Sequence, residues 1–209
     1  MNLEAQPIED SQLVERVIRI GGHQIELLHP RDSESLIDQH AFEQDELLPY
    51  WAELWPSGLQ LAHALTQRRL SHMRIVELGC GLGLPSLIAA AEGAHVLATD
   101  WSAAALALLQ RNAARNRVRL QTMQVSWASP RALIELAPFD LVLAADVCYE
   151  RRNVALLLDL MPRLATESLL ADPRRSFTDA FLEQAPRFWC AQTSEREGVA
   201  IHRLLRHRS

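Results

Sequence analysis

The 209-residue chain contains no lysine; all 21 of its basic residues are arginine. No side chain here can form a Schiff base or act as a lysine general base. Cysteine is almost as scarce. Cys80, Cys148 and Cys190 are scattered and odd in number, which argues against a disulfide frame and for a reducing, cytoplasmic setting. The eight histidines form no H-E-x-x-H or Cys/His cluster, so no metal site is expected. No apolar run approaches the ~18–20 residues needed to span a bilayer. Met1 to Asp10 has neither a basic stretch nor an apolar core, so no signal peptide is expected. The net charge of −5 argues against nucleic acid as the main partner.

What is present suits one α/β domain with additions: 48% of residues are apolar. Charge is unevenly placed. Residues 1–54 hold twelve acids against three arginines, hence −9. The expected division is an N-terminal hairpin and acidic extension over 1–54, packed on a core domain over 55–209. Glu15 to Ile20 and Gln24 to Leu28 flank Gly21-Gly22-His23 and read as a β-hairpin. Pro30 to Glu46 reads as loop with a helical turn. Helices are expected over Leu59–Leu70, Leu84–Glu92, Ala103–Asn116, Val154–Leu164 and Thr178–Gln184. Ser102 should cap the third and Gly93 should end the second. Core strands are expected over Arg74–Leu78, His95–Thr99, Leu120–Val125, Phe139–Ala144 and Ser168–Ala171, with last strands over Phe188–Thr193 and Val199–Leu205. This alternation predicts a mostly parallel, doubly wound sheet.

Glu77-Leu78-Gly79-Cys80-Gly81-Leu82-Gly83 sits between the first core strand and a helix. Asp100 ends the next strand, seventeen residues beyond Gly83. Glycines let backbone approach a ligand, and a helix N-terminus points free N–H groups at the same place. A carboxylate so placed can accept hydrogen bonds from two ribose hydroxyls. The spacing is G-x-G-x-G. Leu84 stands where a dinucleotide fingerprint has its third glycine, and no G-K-[ST] follows. The motif resembles that of Rossmann-like S-adenosylmethionine methyltransferases.

Ligands of open α/β sheets sit beyond the C-terminal strand ends. There the chain places Glu77, Gly79, Cys80, Gly81, Gly83, Asp100, Ser126-Trp127 and Ala145-Asp146. Trp127 suits either the face of a flat base or the core. Asp146 and Tyr149, in Asp146-Val147-Cys148-Tyr149, can orient an amine N–H and accept a cationic product on an aromatic face; an N-cap aspartate and a packing tyrosine are the alternative.

Trp55-Pro56-Ser57-Gly58, the glycine loop, Trp127 and Asp146-x-x-Tyr149 together resemble the seven-β-strand lysine methyltransferases of methyltransferase family 16, over roughly residues 45–205. Pro49-Tyr50-Trp51-Ala52 and Ala171-Asp172-Pro173-Arg174-Arg175 are similar to the lysine methyltransferases of the electron-transfer-flavoprotein β-subunit, with Arg174 replacing a glycine. The resemblance implies a seven-stranded Rossmann-like fold and S-adenosylmethionine as cofactor. It implies cofactor contacts at Trp55, Glu77, Gly79, Cys80, Gly81, Gly83, Asp100, Trp127 and Ala145, and catalytic roles for Asp146 and Tyr149. The expected activity is N-methyl transfer to a lysine of a protein partner. The rivals are a small-molecule N-methyltransferase, a nicotinamide-dependent oxidoreductase and a non-catalytic cofactor-binding module.

Overall fold

A computed structural model describes residues 8–33 and 50–207. The loop expected over Pro30–Glu46 therefore lies mostly outside the described residues, as does Pro49, and Pro30 itself ends a strand. Strands β1 (Leu13–Ile20) and β2 (His23–Pro30) form an antiparallel hairpin. The central sheet uses β3 (Arg74–Leu78), β4 (His95–Asp100), β5 (Gln121–Gln124), β6 (Leu141–Ala145), β7 (Glu167–Asp172), β8 (Trp189–Arg196) and β9 (Val199–Arg206). Their order is β5-β4-β3-β6-β7-β9-β8. The first five are parallel; β9 is antiparallel to both β7 and β8.

The helices are α1 (Pro56–Leu65), α2 (Leu84–Ala91), α3 (Ala103–Arg115), α4 (Arg131–Ile134), α5 (Arg151–Leu164) and α6 (Ser176–Gln184). Side chains alternate across the sheet, so one strand feeds two cores. Ile75, Leu141 and Leu143 pack with α1, α2 and α3. Val76, Val142 and Ala144 pack with α4, α5 and α6 on the opposite face. That is the doubly wound, Rossmann-like arrangement anticipated from the alternation.

Several boundaries moved. Helix α1 starts at Pro56, not Leu59, because proline at the first helical position presets φ and lacks only an N–H that has no partner there. It stops at Leu65, not Leu70: Thr66 Oγ1 donates to His63 O at 2.9 Å, and tighter turns follow. Helix α5 starts at Arg151, three residues early, and α4 was not anticipated. Ser102 does cap α3, its hydroxyl accepting from Ala105 N at 3.3 Å.

The hairpin is fixed to α3 by two asparagines one turn apart. Asn112 donates to Leu28 O at 3.0 Å and accepts from Leu28 N at 2.7 Å. Asn116 makes the same pair of bonds to Glu26, both at 2.8 Å. Each amide thus satisfies the outer backbone groups of β2 as a neighbouring strand would. Asp10 pairs with Arg111, and Glu15 and Glu26 with Arg115, so part of the N-terminal acidity holds the hairpin down.

Candidate active site

The strand order reverses between β3 and β6, and the connections after them leave in opposite directions. A cavity of about 880 Å³ opens at that point. Its floor is the turn from β3 into α2. Gly79 has φ 65° and Gly81 φ 50°, backbone that suits glycine. A Cβ on Gly79 would stand 3.2 Å from Trp127 Cζ2, and one on Gly81 would stand 3.1 Å from the Trp51 carbonyl oxygen. The glycines thus admit the aromatic walls as well as leaving backbone exposed to a ligand. Gly83 follows at φ 71° and leads into α2.

Glu77 lies beneath this loop, 1% exposed. Its Oε2 accepts from Ser86 N at 3.0 Å and from the Ser86 hydroxyl. It therefore ties the end of β3 to the first turn of α2. Burial pushes its carboxyl up to about 8. Cys80 is buried beside it, and burial raises its thiol well above the ordinary range. Both residues border the cavity.

Asp100, at the end of β4, is buried and clamps the loop. Its Oδ2 accepts from Gly81 N and its Oδ1 from Ser102 N, each at 2.9 Å. Each carboxylate oxygen keeps a further lone-pair site for a ligand hydroxyl. Burial shifts its carboxyl upward, which the three backbone N–H groups around it oppose. Trp101 follows, 43% exposed and on the cavity wall. Sequence reading passed over it; its position directly after Asp100 was the available signal. Trp127, after β5, is half-buried and lies both on the cavity wall and against the core.

Ala145 ends β6 and Asp146 follows with φ 57°, a left-handed conformation that strains a residue with a side chain. Two bonds hold it there. Asp146 N donates to Ala171 O at 2.8 Å, and Asn153 Nδ2 donates to Val147 O at 3.0 Å. The cap of α5 is Glu150, so Asp146 is not an N-cap. Asp146 Oδ1 accepts from Arg175 Nε at 2.5 Å, while its buried Oδ2 has no partner among the described residues.

Tyr149 meets Tyr50 at the mouth in a tilted pair, ring centroids 5.4 Å apart. Tyr50 also meets Trp55 at 6.3 Å, and its carbonyl accepts from Trp55 Nε1 at 2.7 Å. Burial lifts the Tyr149 phenol to about 12, so it stays protonated. Arg175 enters from beyond β7, its guanidinium carbon 5.7 Å from the Trp55 ring centre. Tyr50 and Arg175 were legible only as parts of family motifs; their place at this mouth comes from a 3-10 turn before α1 and the loop after β7, far apart in the chain. Among the described residues no group of acids, cysteines and histidines could hold a metal ion. Aromatic walls, a donor-rich turn and a buried ribose-type carboxylate fit a nucleoside cofactor.

A family model described as lysine methyltransferase matches residues 38–186. A Bos taurus protein-lysine methyltransferase is 37% identical over 134 residues, covering 57% of this chain and 45% of its own. A Xenopus laevis histone-arginine methyltransferase is 32% identical over 130 residues, covering 54% of each chain. The Xenopus laevis electron transfer flavoprotein beta subunit lysine methyltransferase is 30% identical over 135 residues, covering 61% of this chain and 54% of its own. The chain spans about half the length of the curated relatives it matches. The fold matches the T. thermophilus 16S rRNA N2 G1207 methyltransferase, solved with AdoMet and guanosine, at TM-score 0.69 and 20% identity, over 96% of this chain and 52% of that one.

Proposed function

The chain belongs to the lysine methyltransferase family, and from that premise we propose that it transfers a methyl group from S-adenosylmethionine to a lysine side chain of a protein. The carrying observation is the unpartnered Oδ2 of Asp146, buried at the cavity wall beside the Tyr50, Trp55 and Tyr149 rings.

The cofactor residues are those of the strand ends. The Gly79–Gly83 turn presents backbone, Asp100 accepts from the ribose hydroxyls, Trp127 and Trp101 flank the base, and Ala145 and Trp55 border the reacting end. S-adenosylmethionine bound there supplies an electrophilic methyl group on a sulfonium. Asp146 accepts one N–H of the acceptor and so aims its lone pair; such positioning is much of the catalysis. The faces of Tyr149, Tyr50 and Trp55 stabilise the cation that the acceptor becomes. They also keep water from the reacting end of the cavity.

A protein partner is favoured by the lysine methyltransferase family description and by the relatives named as protein-lysine methyltransferases. Incubating lysate with this protein and S-adenosylmethionine labelled in its methyl group should label protein. Mass spectrometry should find the label on lysine Nε. Label found only on arginine, or only in small amines, would overturn the lysine assignment.

A further inference from the structure

Arg175 makes the two contacts that an acceptor ammonium would make in this mouth. Its Nε donates to Asp146 Oδ1 at 2.5 Å, and its guanidinium stands over the Trp55 ring at 5.7 Å. Its backbone N–H donates to Asp172 Oδ1 at 2.6 Å, so the residue is anchored at both ends. The Arg175 side chain is 36% exposed, against 4% for Asp146. The cation thus lies on the solvent side of the carboxylate. Asp146 Oδ2, buried and without a partner among the described residues, remains for an incoming donor.

We propose that Arg175 is a specificity-determining residue that neutralises Asp146, so that the slot admits the acceptor nitrogen as neutral amine and not as ammonium. The inference rests on the methyl-transfer reading and deepens it. A lone carboxylate would attract an ammonium and hold its proton, since an opposite charge favours the charged form. An ammonium has no lone pair to transfer to. With a guanidinium on Oδ1 the pair carries no net charge, yet Oδ2 still accepts one N–H. Arginine does not deprotonate in proteins, so the neutralisation holds at every working pH. The hydrogen bond from Arg175 to Asp146 raises the guanidinium's hold on its proton further.

Several of the groups facing the pair are neutral or already paired, and Asp172 stands beside the same guanidinium. Burial pushes the Tyr149 phenol and the Cys148 thiol up to about 12, so both are neutral. Glu150 pairs with Arg152 at 2.6 Å, and Arg174 pairs with Glu195. From β9, His202 is held neutral by burial. From β7, Asp172 is buried, which favours its protonated form, and its Oδ1 already faces Arg175 N. Glu53 and Tyr50 stand at the rim. The acceptor loses one proton to water before entry. Its lone pair then forms the N–CH3 bond as the methyl–sulfur bond breaks, both electrons going to sulfur to give a neutral thioether. The charge moves to the methylated nitrogen, which releases a proton to water after departure.

The test uses n-butylamine, which is almost wholly n-butylammonium at pH 7, as the probe. It is titrated into protein saturated with S-adenosylhomocysteine and followed by tryptophan fluorescence. Arg175→Gln should bind it about tenfold more tightly than the unmodified chain, because Asp146 is then an unpaired anion. Arg175→Lys, which keeps the charge, should bind it as the unmodified chain does. Adding Asp146→Asn to Arg175→Gln should abolish the gain. In lysate labelling at saturating acceptor and S-adenosylmethionine, the acid limb of kcat, which reports groups in the bound complex, should move up by about one pH unit for Arg175→Gln while Arg175→Lys leaves it in place. Unchanged or weaker n-butylammonium binding in an Arg175→Gln protein that still binds S-adenosylhomocysteine would overturn the proposal. So would an unmoved acid limb. Absence of lysine labelling by the unmodified chain would instead count against the methyl-transfer reading, since the n-butylammonium titration does not depend on it.

Discussion

Glu77 should make the stability of this protein fall as pH rises from 5 to 8. The carboxyl is 1% exposed, and its Oε2 accepts from Ser86 N and the Ser86 hydroxyl. Burial raises its pKa from 4.5 to about 8; the Ser86 bonds oppose the shift and Asp100 adds to it. Between those values the folded protein holds a proton that the unfolded chain has released. The stabilisation is complete below pH 4.5, declines as pH rises, and is lost above about pH 8. One pKa unit corresponds to about 1.4 kcal/mol, so the whole window is worth on the order of 5 kcal/mol. For a domain of this size that is a fall in Tm of roughly 10 °C. Glu77→Gln keeps the shape and removes the titration. Urea unfolding at pH 5, 6, 7 and 8 should therefore show the unmodified chain losing about 1.4 kcal/mol per pH unit relative to Glu77→Gln. Contributions from other titrating groups largely cancel in that difference. Stability curves that run parallel would refute the reasoning and return Glu77 to an ionised, water-accessible state.

Asp100→Ala removes the acceptors of Gly81 N and Ser102 N together with the ribose acceptor; calorimetry with S-adenosylhomocysteine should show affinity reduced by about a hundredfold, at ~1.5–3 kcal/mol for a hydrogen bond to a charged group. Asp146→Asn and Tyr149→Phe should each leave S-adenosylhomocysteine affinity within about threefold, whereas the rate of labelling should fall by ~10²-fold for the first variant and less for the second; calorimetry and lysate labelling read the two separately. Asn112→Ala strips both bonds from Leu28, so stability should drop by about 2 kcal/mol, and hydrogen exchange should speed at the amides of Leu28 and Glu26 before those of β3.

Much of this fold was readable because its determinants are local. The segment Arg74–Leu78, apolar at Ile75, Val76 and Leu78, became β3 with the bounds expected, since a short apolar stretch between turns suits a strand buried on both faces. Ser102 announced α3, and the Glu77–Gly83 spacing announced the turn that makes the cavity floor. These features depend on neighbours within a few residues, whose sterics and hydrogen bonding are set by the chain itself. The alternation of strands and helices likewise dictated a doubly wound sheet, because each strand must bury two faces.

Other features exist only once distant segments meet. Two last strands were expected, but that β9 and not β8 pairs with β7 depends on which strand buries its side chains: β9 is buried along most of its length, while β8 is exposed after Trp189. Asn112 and Asn116 look like ordinary polar positions on a helix; they become anchors because β2 lies across α3 with Leu28 and Glu26 in reach. Arg175 and Asp146 are 29 residues apart on different strand ends, and their ion pair arises because β6 and β7 are adjacent and parallel. Residue types and spacings determined that a nucleoside site would form and which carboxylates it would hold. Only the packing of strand ends decided which of those carboxylates meets a permanent cation, because charge neutralisation falls off over a few ångströms and the chain does not encode such distances locally.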